Sequence, residues 1–548
     1  MRTLGASTWG APLFAGVLAA ATLLLVGGLR LGPDGASYLS LSEHWAAGDW
    51  GGAVNGYWSP LLPLLLVPAA LIGVSLVAAV QVVGVLTASA SIAALQRLMR
   101  SVGVDPKRIV VLSFGAAPFA AFAAIDVVGP DLLMAAILVW FIAELLSDDR
   151  SIWFVGVLGG LAFLAKAYAA PFLAAFIVVL AVLRSSQDVT NGGRGVRNLL
   201  GVGAVCSIVI VTWSTAVSFD ESRLTFTTAS AYNRSVTAPG SPGMPYRWAG
   251  LIEPDRPSAF WGWEDPVRLP TARDRPNLAA DGIDAQNAGP GRLGRTLDNV
   301  DRAYRGTALA AGSVIAATVT AVWAALHQLR SRRRRGPDGD RADADVIRED
   351  RRQHRAVDTM AQRALVLSIA AAIYVGGLLI LVVEVRYLYF VLLLAVALAG
   401  IGLDQCARRW TSRLGTVSLG AALTVAVALT TALRPSVALF RLDERSAYQQ
   451  SVDAIFDSVP LAGSRVASFP ADLVVVGARC FEEGCTYLGA PTTNPVAGTV
   501  SEQLQEFHVD LFVVRLNRDI TVPPGAIIIA RSDEIGYAIY DVSELTDG

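Results

Sequence analysis

Charge, and lysine above all, is what this chain has least of. Only 17% of its 548 residues are charged against 53% hydrophobic, and the mean hydropathy is +0.49. That leaves too few polar side chains to cover a soluble surface of this size, so the bilayer is the solvent for most of the chain. The net charge of −1 provides no basic excess to hold nucleic acid. Of 45 basic residues only Lys107 and Lys166 are lysines, a bias that with the abundant Ala, Gly and Val fits a high-GC bacterial genome. Histidine is equally scarce, and His44, His327, His354 and His508 have no zinc-binding spacing. A P-loop and a dinucleotide fingerprint are both missing, which leaves ATP-driven and redox roles without support. Four cysteines make no disulfide framework, because Cys206 falls in an apolar run and Cys406 beside a basic loop. Cys480 and Cys485 differ: five apart around Gly484 in a polar segment, they are expected to form a disulfide if that segment lies outside the cytoplasm.

What the chain has in quantity is apolar length. Runs close to the roughly 20 residues that cross a bilayer recur at 10–29, 75–96, 109–125, 131–147, 151–165, 169–183, 198–217, 307–327, 364–383, 387–403 and 414–433. They predict an α-helical polytopic membrane protein with about eleven transmembrane helices, the first read as uncleaved because it lacks a strong basic n-region and many more spans follow it. Basic residues collect in alternate loops: Arg97, Arg100, Lys107 and Arg108; Arg150; Arg184, Arg194 and Arg197; Arg408, Arg409 and Arg413. The segment 328–362, with Arg332 to Arg335 in a row, falls on the same side, and the positive-inside rule makes that side cytoplasmic. Residues 30–74, 126–130, 218–306 and everything after 434 are then outside. Leu61–Leu71 is short and broken by prolines, and reads as a helix lying at the interface. The chain thus divides into a transmembrane domain, 1–433, and a C-terminal extracytoplasmic domain, 434–548. In the latter, apolar runs at Val466–Phe469, Leu473–Val476, Asp510–Val514, Ala526–Ala530 and Tyr537–Tyr540 alternate with helix-like stretches at 445–458 and 501–507, the pattern of a small α/β domain.

The outer face gathers polar groups that a passive bundle does not need. Gly32-Pro33-Asp34-Gly35-Ala36-Ser37-Tyr38 follows the first span, and an amphipathic stretch leads on to Gly48-Asp49-Trp50. A carboxylate at that level can act as a general base toward an acceptor hydroxyl, and the same Pro-Asp-Gly triplet also begins helices well. In the loop 218–306, Arg223, Tyr246, Trp248, Trp261 and Trp263 can bind phosphate or stack on a sugar, and ordinary interfacial aromatics explain the same residues. Asp343-Ala344-Asp345 matches the metal-binding Asp-x-Asp of nucleotide-sugar enzymes, but it lies among arginines in the expected cytoplasmic loop and reads as a solvated linker.

Four short motifs carry a resemblance. Pro33-Asp34 with Tyr38, Gly48-Asp49-Trp50 and Trp58-Ser59-Pro60-Leu61-Leu62-Pro63 resemble the first outer loop of the GT-C glycosyltransferases, in particular the protein O-mannosyltransferase and aminoarabinose-transferase branch. Gly129-Pro130-Asp131-Leu132-Leu133 resembles that family's second acidic loop, Gly160 to Lys166 its lysine-bearing turn, and Glu384-Val385-Arg386-Tyr387 its Arg-Tyr outer loop. The order along the chain is also the family's. This chain departs from it at Ser59-Pro60, where relatives often carry two prolines, and Asp126 competes with Asp131 for the acidic position.

The resemblance implies that a sugar is transferred from a polyprenyl-phosphate donor to a cell-envelope acceptor (glycan, lipid or protein) on the outer face of a bacterial plasma membrane. Asp34 would be the catalytic carboxylate, Asp131 the second acidic group, and Lys166 and Arg386 the ligands of the donor phosphate. Tyr38, Glu384 and Tyr387 would line the site. Physics agrees, since a phosphate leaving group needs fixed cations for the charge it gains, although a lone lysine at a span end also snorkels. The motifs name no certain cofactor, and a divalent metal held by Asp34 and Asp131 is left open. The alternatives are a transporter or lipid-carrier flippase, which calls for ionisable groups at mid-span and an internal repeat, or an assembly subunit that keeps the fold without turnover.

Overall fold

The computed structural model describes residues 5–26, 31, 33–147, 151–185, 192–229, 251, 344–379, 384–410, 450–469, 473–489, 500–516 and 522–545. The expected spans at 307–327 and 414–433, together with Tyr246, Trp248, Trp261 and Trp263, lie outside the described residues.

Apolar runs become helices where the sequence also provides a start. Helix α1 covers Gly5–Val26, α2 Pro33–Ala47 and the short α3 Trp50–Ala53, whose N-cap Asp49 accepts from Gly52 N. After α4, Leu61–Leu71, come α5, Leu76–Ser101, capped by Ser75, and α6, Pro106–Asp126, capped by Asp105 with Pro106 in its first turn. Helix α7 covers Asp131–Leu145, α8 Ile152–Ala165 under a Ser151 cap, α9 Ala169–Ser185 and α10 Gly192–Asp220. Helix α11 is Ala344–Leu379, and a 3-10 turn at Val385–Leu388 leads into α12, Tyr389–Trp410.

Among the described residues, five helices are long and apolar enough to cross a membrane: α5, α6 and α12, with the apolar parts of α10 and α11. Helix α4 has 11 residues, about 16 Å at 1.5 Å per residue. That is about half the hydrocarbon thickness, which suits a helix at the interface. One expected boundary moves. The basic segment ending at 362 and the span from 364 form the single helix α11, because 344–363 holds helix-favouring Ala, Arg, Glu and Gln with no Gly or Pro to break it.

One continuous core joins α1 and α5 to α12. Helix α12 lies at its centre, buried from Leu388 through Ala399. Helix α10 packs closely on α8 because Gly160 has no side chain: a Cβ there would stand 2.6 Å from Val209 Cβ. Such small-residue contacts let helices approach where lipid provides no hydrophobic drive. Leu24, Leu25, Val182, Ile208 and Val211 point outward, as lipid-facing residues should.

The C-terminal unit is a five-stranded sheet, in the order β2-β1-β3-β5-β4. Strands β1 (Arg465–Phe469), β2 (Thr486–Gly489) and β3 (Leu511–Arg515) run parallel, while β4 (Ile527–Ser532) and β5 (Tyr537–Asp541) complete an antiparallel half. The apolar run Leu473–Val476 is not a strand but part of a π-helical turn, Leu473–Gly477, leading into α13, Ala478–Glu483. Val475 and Val476 are buried by the domain core in that form, so packing overrides their β-propensity. Strand β2 was missed because it is four residues at the edge of the sheet, ending in Gly489. Helix α14, Val500–Glu506, falls where the sequence expected it. Cys480 and Cys485 are joined by a disulfide.

This unit rests on α2. Ala36 is fully buried in one cluster with Val475, Val476, Cys480 and Cys485, and Phe481 packs against the cluster that holds Tyr38, Leu39 and Trp58. Helix α2 is thereby held between the helical bundle and the sheet.

Candidate active site

Three helix ends and one turn meet beside α2. Pro33 fixes the first turn of that helix and Asp34 follows it, so the carboxylate stands at the helix N-terminus, where negative charge is favoured. The next residue is a glycine for a steric reason. A Cβ at Gly35 would meet Val128 Cβ at 2.6 Å, in the linker that carries Gly129-Pro130-Asp131. With Gly35 against Val128 and Ala36 against the C-terminal unit, Asp34 is held from two sides. Gly35→Ala is therefore expected to force α2 away from that linker, costing about 1–3 kcal/mol by overpacking and lowering the detergent melting temperature. An unchanged melting temperature would show that Val128 yields freely.

Asp131 occupies the equivalent place on α7. Pro130 accepts from Met134 N at 2.8 Å, and Asp131 lies in the first turn with its side chain only 5% exposed. Such burial of a carboxylate requires compensation. The helix N-terminus contributes some, and Lys166 Nζ is bonded to Asp131 Oδ1. Lys166 gets there because α8 stops at Ala165: Lys166 N still reaches Ala162 O, but its φ of −155° and ψ of 124° leave the helix. Its ammonium also lies 3.9 Å from the centre of the Tyr387 ring, a cation–π contact. These two partners fix Lys166 in a way that simple snorkelling does not require.

Arg386, in the 3-10 turn before α12, ties the carboxylates together. Its Nη2 lies 2.7 Å from Asp34 Oδ2, and its Nε lies 3.8 Å from Asp131 Oδ2 and 2.6 Å from Glu384 Oε2. Despite that proximity, the N–H direction matches neither oxygen, and this buried Nε–H has no hydrogen-bond acceptor among the described residues. Tyr38 completes the wall, edge-on to Trp58 at 5.2 Å. Burial first, and then the charges of Asp131 and Asp34, hold its phenol well above the ordinary tyrosine value, so it stays a neutral hydroxyl.

The structure brings together Asp34, Tyr38, Asp131, Lys166, Glu384, Arg386 and Tyr387, contributed by segments more than 300 residues apart. Asp131 rather than Asp126 makes the contacts with Lys166 and Arg386; Asp126 is the last residue of α6. Arg223 stands apart after α10, mostly exposed and paired with Glu221 at 3.3 Å. Sequence reasoning missed Tyr168 and Tyr374, which support the site from below: Tyr168 Oη donates to Tyr374 O at 2.6 Å, and Tyr374 packs on Phe172 and Phe390. Tyr168 could have been noticed from its place two residues after Lys166, but nothing in the sequence marks Tyr374. The Arg386 guanidinium reaches both Asp34 and Asp131, the pair considered for a divalent cation. No group of three or more His, Cys, Asp or Glu able to hold a metal occurs among the described residues.

No family model and no curated protein matches this chain. Its likeness is to solved structures. ArnT from Cupriavidus metallidurans bound to undecaprenyl phosphate aligns with a TM-score of 0.54 at 15% identity, over 97% of this chain and 98% of that one. The same protein in the apo state gives 0.55 at 15% identity with the same coverage. Identity that low makes this a likeness of fold, and it extends over nearly the whole of both chains. This multi-pass membrane protein therefore has the fold of the GT-C glycosyltransferases.

Proposed function

We propose that this protein is a glycosyltransferase, taking a sugar from a polyprenyl-phosphate donor and passing it to a cell-envelope acceptor (glycan, lipid or protein) on the outer face of a bacterial plasma membrane. The observation that carries the reading is the cluster itself: two cations, Lys166 and Arg386, beside two carboxylates, Asp34 and Asp131, where apolar helices end. The fold adds support, because ArnT with this architecture was solved with undecaprenyl phosphate bound. The Nε–H of Arg386 lies in ion pairs with Glu384 and Asp131 but makes no hydrogen bond, and it is the kind of donor that a phosphate oxygen satisfies.

In the proposed reaction Asp34 removes the proton from an acceptor hydroxyl or amine as that group attacks the anomeric carbon. The bond from that carbon to the phosphate oxygen breaks, and its electron pair leaves with the polyprenyl phosphate. Lys166 and Arg386 stabilise the charge that the phosphate gains. One displacement inverts the anomeric centre. Asp131, buried between both cations, holds them in place. The loop arginines support a cytoplasmic segment 328–362, which leaves α2, the Arg386 turn and the domain 434–548 outside.

The test is transfer by purified protein given a panel of radiolabelled polyprenyl-phosphate sugars together with membrane acceptors. The expected result is label in an envelope acceptor from one donor, with release of polyprenyl phosphate in equal amount. Nucleotide sugars run in parallel are expected to give no label; label taken only from them, or from no donor at all, would reject the reading.

A further inference from the structure

The first outer loop makes a direct contact with the lysine turn through Ser59. Ser59 is buried, 7% exposed. Its Oγ accepts a hydrogen bond from Ala167 N at 3.0 Å, across 108 residues of sequence.

The need for that bond follows from how Lys166 is displayed. Continuing α8 would give Ala167 N the carbonyl four residues back. Turning Lys166 out to reach Asp131 breaks that series, and α9 does not begin until Ala169. The N–H of Ala167 is thus left at the gap between two helices, without the carbonyl it would otherwise use. Ser59 provides an acceptor there, and a proline, with no side-chain oxygen, cannot. Downstream, the same turn is fixed by Tyr168 Oη on Tyr374 O at 2.6 Å. Upstream, Ser59 is adjacent to Trp58, whose ring meets Tyr38 on the Asp34 helix at 5.2 Å. The serine therefore lies on a short path from the carboxylate helix to the lysine turn.

We infer that Ser59 is a positioning residue for the donor site: by holding Ala167 N it fixes the turn that presents Lys166 to the phosphate. The inference rests on the proposed role of Lys166 as a phosphate ligand. It predicts an effect on ground-state binding of phosphate, which a residue serving packing alone would not alter selectively.

The experiment compares Ser59→Thr with Ser59→Val in the full-length protein, since the two side chains share a shape and differ by the hydroxyl. Affinity for undecaprenyl phosphate, used as the probe, is measured by equilibrium binding in detergent alongside the melting temperature. Ser59→Thr is expected to bind as the wild type does, and Ser59→Val about tenfold more weakly at a similar melting temperature, as expected for a displaced contact group. Ser59→Ala replaces the valine variant if that one does not purify folded. In a Lys166→Ala background the valine change should add nothing further, because both act on one contact. Equal binding by the threonine and valine variants would overturn the inference, as would a full additional tenfold loss in the Lys166→Ala background. Normal binding by Lys166→Ala alone would instead remove the phosphate role of the lysine, and the inference with it.

Discussion

Asp34→Asn is expected to lower turnover by a factor of about 10² to 10⁴ while leaving affinity for the polyprenyl-phosphate donor close to that of the wild type. Asparagine is chosen because of the ion pair in the site. Arg386 Nη2 lies 2.7 Å from Asp34 Oδ2, and an amide oxygen still accepts from that guanidinium, so α2 and the Arg386 turn keep their positions. What the amide cannot do is take a proton from the acceptor. A general base contributes only as bonds change, which separates turnover from ground-state binding. Alanine at this position would confuse the two by releasing Arg386. Donor binding by folded, detergent-solubilised variant and sugar transfer are measured separately. Transfer at the wild-type rate would mean that the proton is taken elsewhere.

Most of the helical architecture could be read from the sequence, because bilayer thickness imposes a length on apolar runs that no soluble core imposes. The described helices α1, α5 to α9 and α12 lie close to where those runs predicted them. The α11 boundary could not be read, since a helix passes from water to lipid without changing its backbone. The C-terminal sheet was legible only in part. Strand β2 is too short to declare itself, and the Leu473–Val476 run carries strong β-propensity yet turns helical toward α13, with Val475 and Val476 buried. For the site, four motifs named the residues but not their pairing. That Lys166 chooses Asp131 and that Arg386 reaches both Asp34 and Asp131 depends on where α7, α8 and the 3-10 turn end in space. The bond from Ser59 to Ala167 had a sequence trace only as a departure from the family's two prolines.

Lys166→Ala and Arg386→Ala should behave unlike Asp34→Asn, because a cation on the phosphate acts both in the bound donor and in the transition state. Each is expected to weaken donor binding by about tenfold or more and to lower turnover by about 10² to 10³. Removing Lys166 has a second consequence that must be kept apart from the first. Asp131 is only 5% exposed and its Oδ1 is bonded to Lys166 Nζ, so the alanine variant buries a carboxylate that has lost its nearest cation. Breaking a buried pair from one side costs about 3–5 kcal/mol, and the melting temperature should fall. A double variant, Lys166→Met with Asp131→Asn, separates the two effects. It removes both charges at nearly constant volume, so stability should return toward that of the wild type. Donor affinity should not return, because no ammonium faces the phosphate. Recovery of donor binding together with stability would make Lys166 a structural partner of Asp131 alone, leaving Arg386 to hold the phosphate. Arg386→Lys refines the comparison. A lysine keeps the charge but lacks the planar fork that reaches Asp34 through Nη2 and Glu384 through Nε, so donor binding should be retained in part while turnover stays low.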